Sequence, residues 1–461
     1  MTRNKRRLVL GGFLVSALLI AAAVVSFVVL ATPVGTGLAA KQLCSLVFVS
    51  RLAPERAIEH YVNPLIGPLR YALTWQVDPT TRQTRASALG WAEARAVAHS
   101  GYGCVQMLDR SPAQIADRLP ERAPAERSNP AIVTGPYALQ EALARVLDLQ
   151  HTYAALIWHD GEVIAEAYAD GITPHTPLPG WSMAKSLTTT LAGVLAKEGL
   201  LAADEVALFP AWEEDERVHV RFENLLRMTS GLDMPETRTG LDTTTHMLFK
   251  TGDSATYASQ QAAVYPPGEH FAYSSGSTVL AAGVITDRLG GPEAAYRFLN
   301  RRLLAPLTMH HTILEPDEAG TMIGSSFVLS TPRDWAKLGA LYLNDGMHEG
   351  RRLLPEGWLT FVTAPTAAAT ERGYGAGFWL ARPAPPKSPE AEWPSSAFFA
   401  SGLQSNRLVI LPEQRLLVVR LGATGDIAES GIAELVAAAL AYVNRQGSQA
   451  EVEAADAPQP G

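Results

Sequence analysis

The chain has 461 residues, of which 47% are hydrophobic and 18% charged, so it can bury a full core and is not globally disordered. Its formal net charge of -8 and sequence pI near 5.8 exclude a broad basic surface. We therefore expect no nucleic-acid partner.

The N-terminus divides into a basic head, residues 1–7, and an uncharged apolar run, residues 8–31. As a helix, this run would cover roughly 36 Å, more than the hydrocarbon core of a membrane, which is about 30 Å thick. We predict a transmembrane anchor or uncleaved signal with its basic head in the cytoplasm. The chain would then be a single-pass protein of the cytoplasmic membrane, with its remaining residues outside the cytoplasm, in the periplasm of a diderm bacterium. A signal peptide cleaved within residues 37–40 is the alternative.

The two cysteines, Cys44 and Cys104, both follow the apolar run. In an oxidising compartment an isolated pair is expected to form a disulfide. Closing a loop of this size would disfavour the unfolded chain by about 4 kcal/mol. Two unpaired buried thiols are the alternative.

Residues 41–115 have the pattern of a small accessory region. Within it, segments 71–77 and 82–88 flank a turn sequence at 78–81, which predicts a hairpin of two strands. The proline-rich polar stretch 116–133 predicts a linker to a second domain over residues 134–445.

The second domain opens with a predicted helix from Pro136, followed by a hairpin whose turn is Asp160–Gly161. Helical patterns then alternate with loops, two apolar strands appear late, and an amphipathic helix closes the domain. The predicted ranges are strands 153–159, 162–169, 407–411 and 415–421, and helices 189–201, 278–285, 294–304 and 432–443. Strands at both ends of a helical middle predict an α+β fold with one mainly antiparallel sheet. Residues 446–461 are polar and acidic, and we expect them to be disordered.

Ser182 and Lys185 form an S-x-x-K motif at the start of an apolar helical stretch. Residues three apart share a helix face, so the amine can reach the hydroxyl, and the helix N-terminus adds positive potential where an oxyanion would form. A serine hydroxyl becomes a useful nucleophile when a base takes its proton. The motif by itself also fits an N-cap serine followed by an exposed lysine.

Tyr273 and Ser275 lie on a loop that enters the predicted helix 278–285. A phenol with a lowered pKa can relay protons between a nucleophile and a leaving group, and Ser275 can hydrogen-bond a lysine or a substrate. A tyrosine that only packs, with its hydroxyl at the surface, is the alternative.

A run of small residues, Ser401 and Gly402, precedes Leu403 and the predicted strand 407–411. Small residues at a strand edge allow close approach of a substrate, and a backbone N–H there could complete an oxyanion hole with the N–H of Ser182. A plain turn is the alternative.

Four segments together resemble the serine beta-lactamase and penicillin-binding protein superfamily over about residues 136–443. They are WSMAKS at 181–186, LLRMTSGL at 225–232, YSSG at 273–276 and DWAKLG at 334–339. They look most like the class C-like branch that includes 6-aminohexanoate-dimer hydrolase and related esterases. The resemblance implies a beta-lactamase-like sheet domain flanked by helices and joined to a helical subdomain, with the site between them and without metal or cofactor.

The resemblance also implies residue roles. Ser182 would be the acyl-enzyme nucleophile, Lys185 its base and Tyr273 the second acid/base, with the N–H groups of Ser182 and Leu403 as oxyanion hole. Ser275, Ser401 and Gly402 would bind the substrate. The implied partner is a small molecule with an amide or ester bond.

Two departures from the family pattern bear on the substrate. Ala400, Ser401 and Gly402 stand where the family usually has Lys or His, then Thr and Gly, and Ser275 stands where an Asn is frequent. Without the cation, recognition of a substrate carboxylate should be poor, so we expect uncharged short-chain esters or linear amides to be preferred over penicillins. An arginine such as Arg407 could replace the cation from another direction.

Several alternatives stay open beside this reading. The chain could be a beta-lactamase, a D-alanyl peptide hydrolase or a non-catalytic receptor with the same fold. An α/β-hydrolase fits poorly, because a proline-rich segment precedes Ser182 where a strand is needed and no histidine follows His348. The eleven histidines are scattered and H-E-x-x-H is missing, so no metal site is predicted. The sequence predicts no oligomeric state.

Overall fold

The computed structural model describes residues 3–120, 131–237 and 239–455. Most of the predicted linker, at 121–130, and the end of the predicted tail, at 456–461, lie outside the described residues. The helices are α1 (Arg3–Cys44), α2 (Pro54–Arg56), α3 (Asn63–Ile66), α4 (Pro112–Ala116), α5 (Tyr137–Asp148), α6 (Met183–Lys197), α7 (Phe222–Leu226), α8 (Thr243–Lys250), α9 (Ser254–Ser259), α10 (Ser275–Arg288), α11 (Pro292–Leu299), α12 (Pro332–Leu343), α13 (Trp358–Thr363) and α14 (Ile432–Ala455). The strands are β1 (Leu73–Asp78), β2 (Gln83–Ala88), β3 (Ala92–His99), β4 (Gly103–Met107), β5 (Thr152–His159), β6 (Glu162–Tyr168), β7 (Leu178–Pro179), β8 (Ile313–Leu314), β9 (Val328–Ser330), β10 (Met347–His348), β11 (Arg351–Arg352), β12 (Trp379–Leu380), β13 (Phe398–Gly402), β14 (Asn406–Leu411) and β15 (Leu416–Gly422).

The main sheet has six antiparallel strands in the order β12-β13-β14-β15-β5-β6. The last strand of the domain, β15, pairs with its first, β5, so the two ends of the domain complete one sheet. Helices α5 and α14 cover one face and α6 and α12 the other, which explains why β14 and β15 are continuous apolar runs. The predicted α+β fold with an antiparallel sheet is confirmed.

The local predictions in this domain succeed where turn chemistry is strong. The hairpin at Asp160–Gly161 forms β5 and β6, and both late strands are present. The helix predicted from residue 189 begins earlier, at Met183, with Ser182 as its N-cap residue. The disordered tail predicted from residue 446 is wrong over residues 446–455, where alanine, glutamate and glutamine, all good helix formers, continue α14.

The accessory region contains a four-stranded antiparallel meander, β1-β2-β3-β4. The predicted hairpin is confirmed as β1 and β2, and the carboxylate of Asp78 accepts the N–H groups of Thr80 at 2.9 Å and Thr81 at 3.3 Å in its turn. The predicted disulfide is confirmed: Cys44 at the end of α1 is bonded to Cys104 on β4, with the two Cα atoms 6.0 Å apart.

Helix α1 lies in two environments. Among the described residues it is the one helix apolar enough to cross a membrane, with a mean hydropathy of 2.9 in its N-terminal part, whose side chains are exposed from Phe13 to Phe27. From Val34 onward it enters the protein core, where Ala39, Ala40 and Leu43 are fully buried. The helix is therefore a structural element of the folded protein as well as an apolar extension of it.

Two glutamates fasten the accessory region to the second domain. Glu315 forms a buried ion pair with Lys41 of α1 and accepts the N–H of Cys104 at 2.6 Å. Glu318 accepts the N–H groups of Leu108 at 2.6 Å and Arg110 at 3.0 Å. The apolar core is also continuous between the two parts, so the accessory region is not packed as an independent unit.

Candidate active site

Ser182 lies at the N-terminus of α6, directly after a strained residue. Trp181 has a φ of 49°, in the left-handed region that non-glycine residues rarely occupy. Its indole N–H donates to the side-chain oxygen of Gln404 at 3.1 Å, which holds this conformation. Close packing also requires glycine at position 180, since a Cβ there would lie 2.8 Å from Trp335. The turn that carries Ser182 is thus fixed from both sides.

The side chain of Lys185 is buried, with 1% of its surface exposed, so it is not the exposed lysine of an ordinary helix. Its amine donates to Ser182 Oγ at 3.2 Å, to Ser275 Oγ at 3.1 Å and to the carbonyl oxygen of Ser325 at 3.1 Å. Three oxygen atoms therefore surround the amine. The predicted partners Ser182, Lys185 and Ser275 therefore meet, and the position of the amine is defined.

Tyr273 approaches the same lysine through its ring. The Lys185 Nζ lies 4.7 Å from the ring centroid, in cation–π range. The ring stacks on Trp379, with centroids 5.2 Å apart, and contacts Tyr374 at 5.9 Å edge to face. Over the part of the chain that the structure describes, the Tyr273 hydroxyl makes no hydrogen bond to Ser182 or Lys185. The structure thus brings the phenol to the site but leaves its hydroxyl unengaged.

The aromatic pair beside Tyr273 was not predicted. Tyr374 is fully buried, and burial, together with the nearby Tyr273 and Glu236, raises its pKa well above the ordinary value. Trp379 begins β12 at the edge of the main sheet. Both lie in the segment GYGAGFW at 373–379, whose density of glycine and aromatic residues is the signal that sequence reasoning overlooked.

The run of small residues ends β13 against the turn that carries Ser182. A Cβ on Gly402 would lie 2.0 Å from the carbonyl oxygen of Gly180, so only glycine permits this approach. Leu403 follows and lines a cavity together with Ser182. Within the described ranges, the backbone N–H groups of Ser182 and Leu403 donate to no protein acceptor. Two unused N–H groups beside one hydroxyl are the ingredients of an oxyanion hole.

Side chains of the turn itself hold the backbone that follows Leu403. Gln404 and Ser405 have φ values of 59° and 63°. The Asn406 amide donates to the carbonyl oxygen of Leu403 at 2.7 Å and accepts the N–H of Gly422 at 2.8 Å. The Gln404 amide donates to the carbonyl oxygen of Tyr61 at 3.1 Å, which ties this turn to the accessory region.

Three residues near this turn, Ala400, Ser401 and Arg407, do not belong to the described lining of the cavity. Ala400 is fully buried in the core, and Ser401, which pairs with Arg407, is not among the described residues that line the cavity. Arg407 is buried beside the ring of Phe399, donates to the carbonyl oxygen of Asn406 at 3.0 Å, and does not line the cavity either. Burial lowers its pKa to about 10. No described lysine or arginine side chain therefore lines this cavity.

The cavity at Ser182 has a volume of about 560 Å³. Ser182, Ser275, Ser326 and Leu403 belong to its lining. Glu236 is the one described lining residue that carries a charge, and its carboxylate accepts the N–H of Ser275 at 2.8 Å. Glu236 was missed because a lone acidic residue in a loop has no periodic or motif signal. The remaining wall includes apolar residues of α1, α8 and the segment from Leu65 to Leu69.

Comparison with known proteins agrees with this arrangement. A family model described as Beta-lactamase matches residues 146–443. A 6-aminohexanoate-dimer hydrolase of Paenarthrobacter ureafaciens is 28% identical over 302 residues, which cover 58% of this chain and 73% of that protein. Among solved structures, a penicillin-binding protein homologue from Caulobacter crescentus has a TM-score of 0.52 and 17% identity, over 66% of this chain and 98% of its own. A family VIII carboxylesterase has a TM-score of 0.53 and 15% identity, over 67% and 98%. At these identities the structures support the fold alone.

Proposed function

The chain belongs to the beta-lactamase family, whose members are generally hydrolytic, and on that basis we propose that it is a serine hydrolase acting through an acyl-enzyme on Ser182. The observation that carries the proposal is the Lys185 amine, buried and 3.2 Å from the Ser182 hydroxyl. This distance suits direct proton transfer. The pair is the combination of nucleophile and adjacent base that such catalysis needs.

In the proposed reaction, Ser182 Oγ attacks the carbonyl carbon of an ester or amide while its proton passes to Lys185 Nζ. The carbonyl oxygen becomes an oxyanion, which accepts hydrogen bonds from the N–H groups of Ser182 and Leu403. The intermediate collapses, the bond to the leaving group breaks, and the alcohol or amine leaves with a proton. Water then cleaves the acyl-enzyme by the same route in reverse order, and Ser182 regains its proton.

Tyr273 has a narrower role in this proposal. Its ring faces Lys185, and its hydroxyl does not contact Ser182, so Lys185 rather than Tyr273 activates the nucleophile. We assign the phenol to proton transfer at the leaving group, which arrives with the substrate. Stacking on Trp379 holds the ring in position for that step.

The proposed substrates are uncharged small esters or linear amides. Ala400 offers no cation, Arg407 does not line the cavity, and Glu236 places a negative charge in it. A substrate carboxylate would lack a charge-assisted hydrogen bond, which is typically worth about 1.5–3 kcal/mol, or roughly tenfold to a hundredfold in binding. The name of one relative, an aminohexanoate-dimer hydrolase, agrees with a linear amide as substrate.

We also propose that α1 is a retained anchor of the cytoplasmic membrane, with the catalytic domain outside the cytoplasm. Cleavage within residues 37–40 would fall between fully buried residues such as Ala39 and Ala40 and remove Val34 from the core. The disulfide of Cys44 and Cys104 suits an oxidising compartment. A phosphatase fused after Gly461 should be active and a green fluorescent protein there dark; the opposite pattern refutes this topology.

The mechanism is tested with the full chain in detergent, by ester turnover and by labelling with a fluorophosphonate. Ser182→Ala should abolish both, while Lys185→Ala and Tyr273→Phe should each lower the acylation rate by about 10² or more. Lys197→Ala, on the exposed end of the same helix, is the matched control and should behave like the parent. Near-normal activity of folded Ser182→Ala would exclude Ser182 as nucleophile. A parent protein that neither turns over substrate nor takes the label would instead be a non-catalytic receptor.

The substrate class is tested by comparing kcat/KM for nitrocefin, a p-nitrophenyl ester and a linear aminohexanoate amide. We expect the ester or the amide to be preferred, because the cavity lacks a described cation for the nitrocefin carboxylate. A clear preference for nitrocefin would make the protein a beta-lactamase in which Ala400, Ser401 and Gly402 replace the usual family residues.

A further inference from the structure

The cavity at Ser182 runs along the anchor helix. Its α1 wall extends from Phe27 and Val28 to Leu38, which is about 16 Å along the helix axis. Ser182 and Leu403 line the same cavity. One continuous space therefore joins the reactive hydroxyl to the part of α1 that leaves the folded domain.

The wall of this space is largely apolar. It is built by Leu65, Ile66 and Leu69 on one side and by Leu248 and Phe249 of α8 on another. Apolar surface of this extent is favourable for a hydrocarbon chain and offers a compact polar substrate few hydrogen-bond partners. The one described charged group of the lining, the Glu236 carboxylate, bonds to the N–H of Ser275 at the end where the bond to be cleaved would lie.

The far end of the space coincides with the predicted edge of the membrane. The apolar run ends at residue 31, so Phe27 and Ala31 lie at its outer boundary. Phe27 is 49% exposed and Leu89, across the cavity, is 50% exposed. Both are large apolar side chains that a membrane interface would cover.

Three further exposed side chains lie within two positions of the lining residues Ala72, Leu89 and Gly240, and we call them the apolar fringe: Tyr71, Trp91 and Leu241. Leu241 follows Gly240, whose added Cβ would lie 3.5 Å from Ala31 of α1. Tryptophan and tyrosine favour the membrane–water interface. The apolar fringe therefore fits a domain whose cavity mouth rests on the outer surface of the bilayer.

We propose that the substrate is an amphiphile of this membrane, whose acyl chain lies along α1 while its ester or amide bond reaches Ser182. The inference rests on the hydrolase function and the anchor proposed above, and it replaces the small substrate proposed there by a long-chain ester or amide. A chain that moves from the bilayer into an apolar cavity exchanges one apolar environment for another, so the fixed anchor presents the cavity to its substrate without transfer through water. The Glu236 carboxylate further favours a scissile bond with no negative charge beside it.

The test uses the full chain in phosphatidylcholine vesicles with p-nitrophenyl palmitate and p-nitrophenyl butyrate. We expect kcat/KM for the long ester to exceed that for the short one by about tenfold or more, because the longer chain concentrates the ester in the bilayer on which the cavity opens. Val28→Trp places bulk in the cavity wall and should lower the ratio of long to short by about tenfold or more. Val29→Trp, its exposed neighbour outside the lining, is the matched control and should keep the parental ratio.

A second measurement does not depend on turnover. In Ser182→Ala, a fatty amide carrying a terminal diazirine should crosslink to cavity-wall peptides that contain Leu65 and Leu69. Three results would each overturn the inference: a preference for the short ester, equal ratios of long-ester to short-ester kcat/KM in Val28→Trp and Val29→Trp, or crosslinks confined to the exposed face of α1. Turnover of the short ester would still support the hydrolase in each of these cases. Failure to turn over both esters and the linear aminohexanoate amide refutes the hydrolase, and the crosslinks then decide separately whether the cavity binds an acyl chain.

Discussion

The buried ion pair of Lys41 and Glu315 joins α1 to the beta-lactamase domain, and its removal should destabilise the whole chain. In Glu315→Gln, Lys41 loses its counter-charge and retains only Ser45 Oγ at 3.2 Å and the ring of Phe327 at 4.4 Å. Leaving one charge of a buried pair without its partner typically costs about 3–5 kcal/mol. Lys41→Met should cost less, because the carboxylate keeps the N–H of Cys104 at 2.6 Å and the hydroxyl of Ser45 at 2.9 Å.

These costs translate into melting temperatures. For 461 residues the entropy of unfolding is about 1 kcal/mol/K, so Glu315→Gln should lower Tm by about 3–5 °C. The double variant Lys41→Met/Glu315→Gln should regain much of the loss, since neither charge is left alone. Glu293→Gln is the control, because its pair with Arg297 is about half exposed on both sides and such pairs are worth about 0–1 kcal/mol.

The assay is thermal unfolding of the purified full chain in detergent, followed by tryptophan fluorescence. The expected order of Tm is Glu293→Gln, Lys41→Met and then Glu315→Gln, from highest to lowest. If Glu315→Gln has the same Tm as Glu293→Gln, the pair does not hold α1 in the fold. The same conclusion follows if the loss of Tm in the double variant equals the sum of the losses in the two single variants. The attachment of the end of α1 to the second domain would then rest on its apolar contacts.

Three more predictions follow from single contacts. Reducing the Cys44–Cys104 disulfide should lower the free energy of unfolding by up to about 4 kcal/mol, measured by urea denaturation with and without reductant. Burial raises the pKa of Asp317 to about 7, so the folded chain keeps a proton that the unfolded chain loses near about pH 4, and stability should fall as the pH rises between these values. Asp317→Asn should remove that fall in a series of Tm measurements, and an unchanged pH dependence would contradict it. Gln404→Ala, which frees the indole of Trp181, should lower kcat more than it raises KM for a short ester, whereas parental kinetics would show that this hydrogen bond does not position Ser182.

Local patterns predicted much of the fold. Asp160–Gly161 between two apolar runs specified a hairpin, and the motif of Ser182 and Lys185 specified which side chains share a helix face. These features depend on residues only a few positions apart, so the local sequence determines them directly. The disulfide was predictable for a different reason, since only two cysteines were available to pair.

The family motifs could also be recognised in the sequence in their correct order. The sequence did not predict how far apart their side chains lie in the folded protein. Lys185 and Ser275 are 90 positions apart, and their contact at 3.1 Å depends on how α6 packs against α10. Glu236 has no motif around it, and the loop between α7 and α8 that carries it reaches the site only by packing against the N-terminus of α10. Such contacts follow from packing of whole elements, which no local period encodes.

The apolar run at residues 8–31 predicted an anchor from length and charge alone, because a membrane-spanning helix needs nothing beyond its own residues to satisfy its backbone. That the same helix continues into the core and lines the cavity at Ser182 was decided only by tertiary structure. Its position depends on the ion pair of Lys41 with Glu315, two residues separated by 274 positions. A sequence states which segments are apolar, whereas the partner that covers each apolar face is fixed only when all of them pack together.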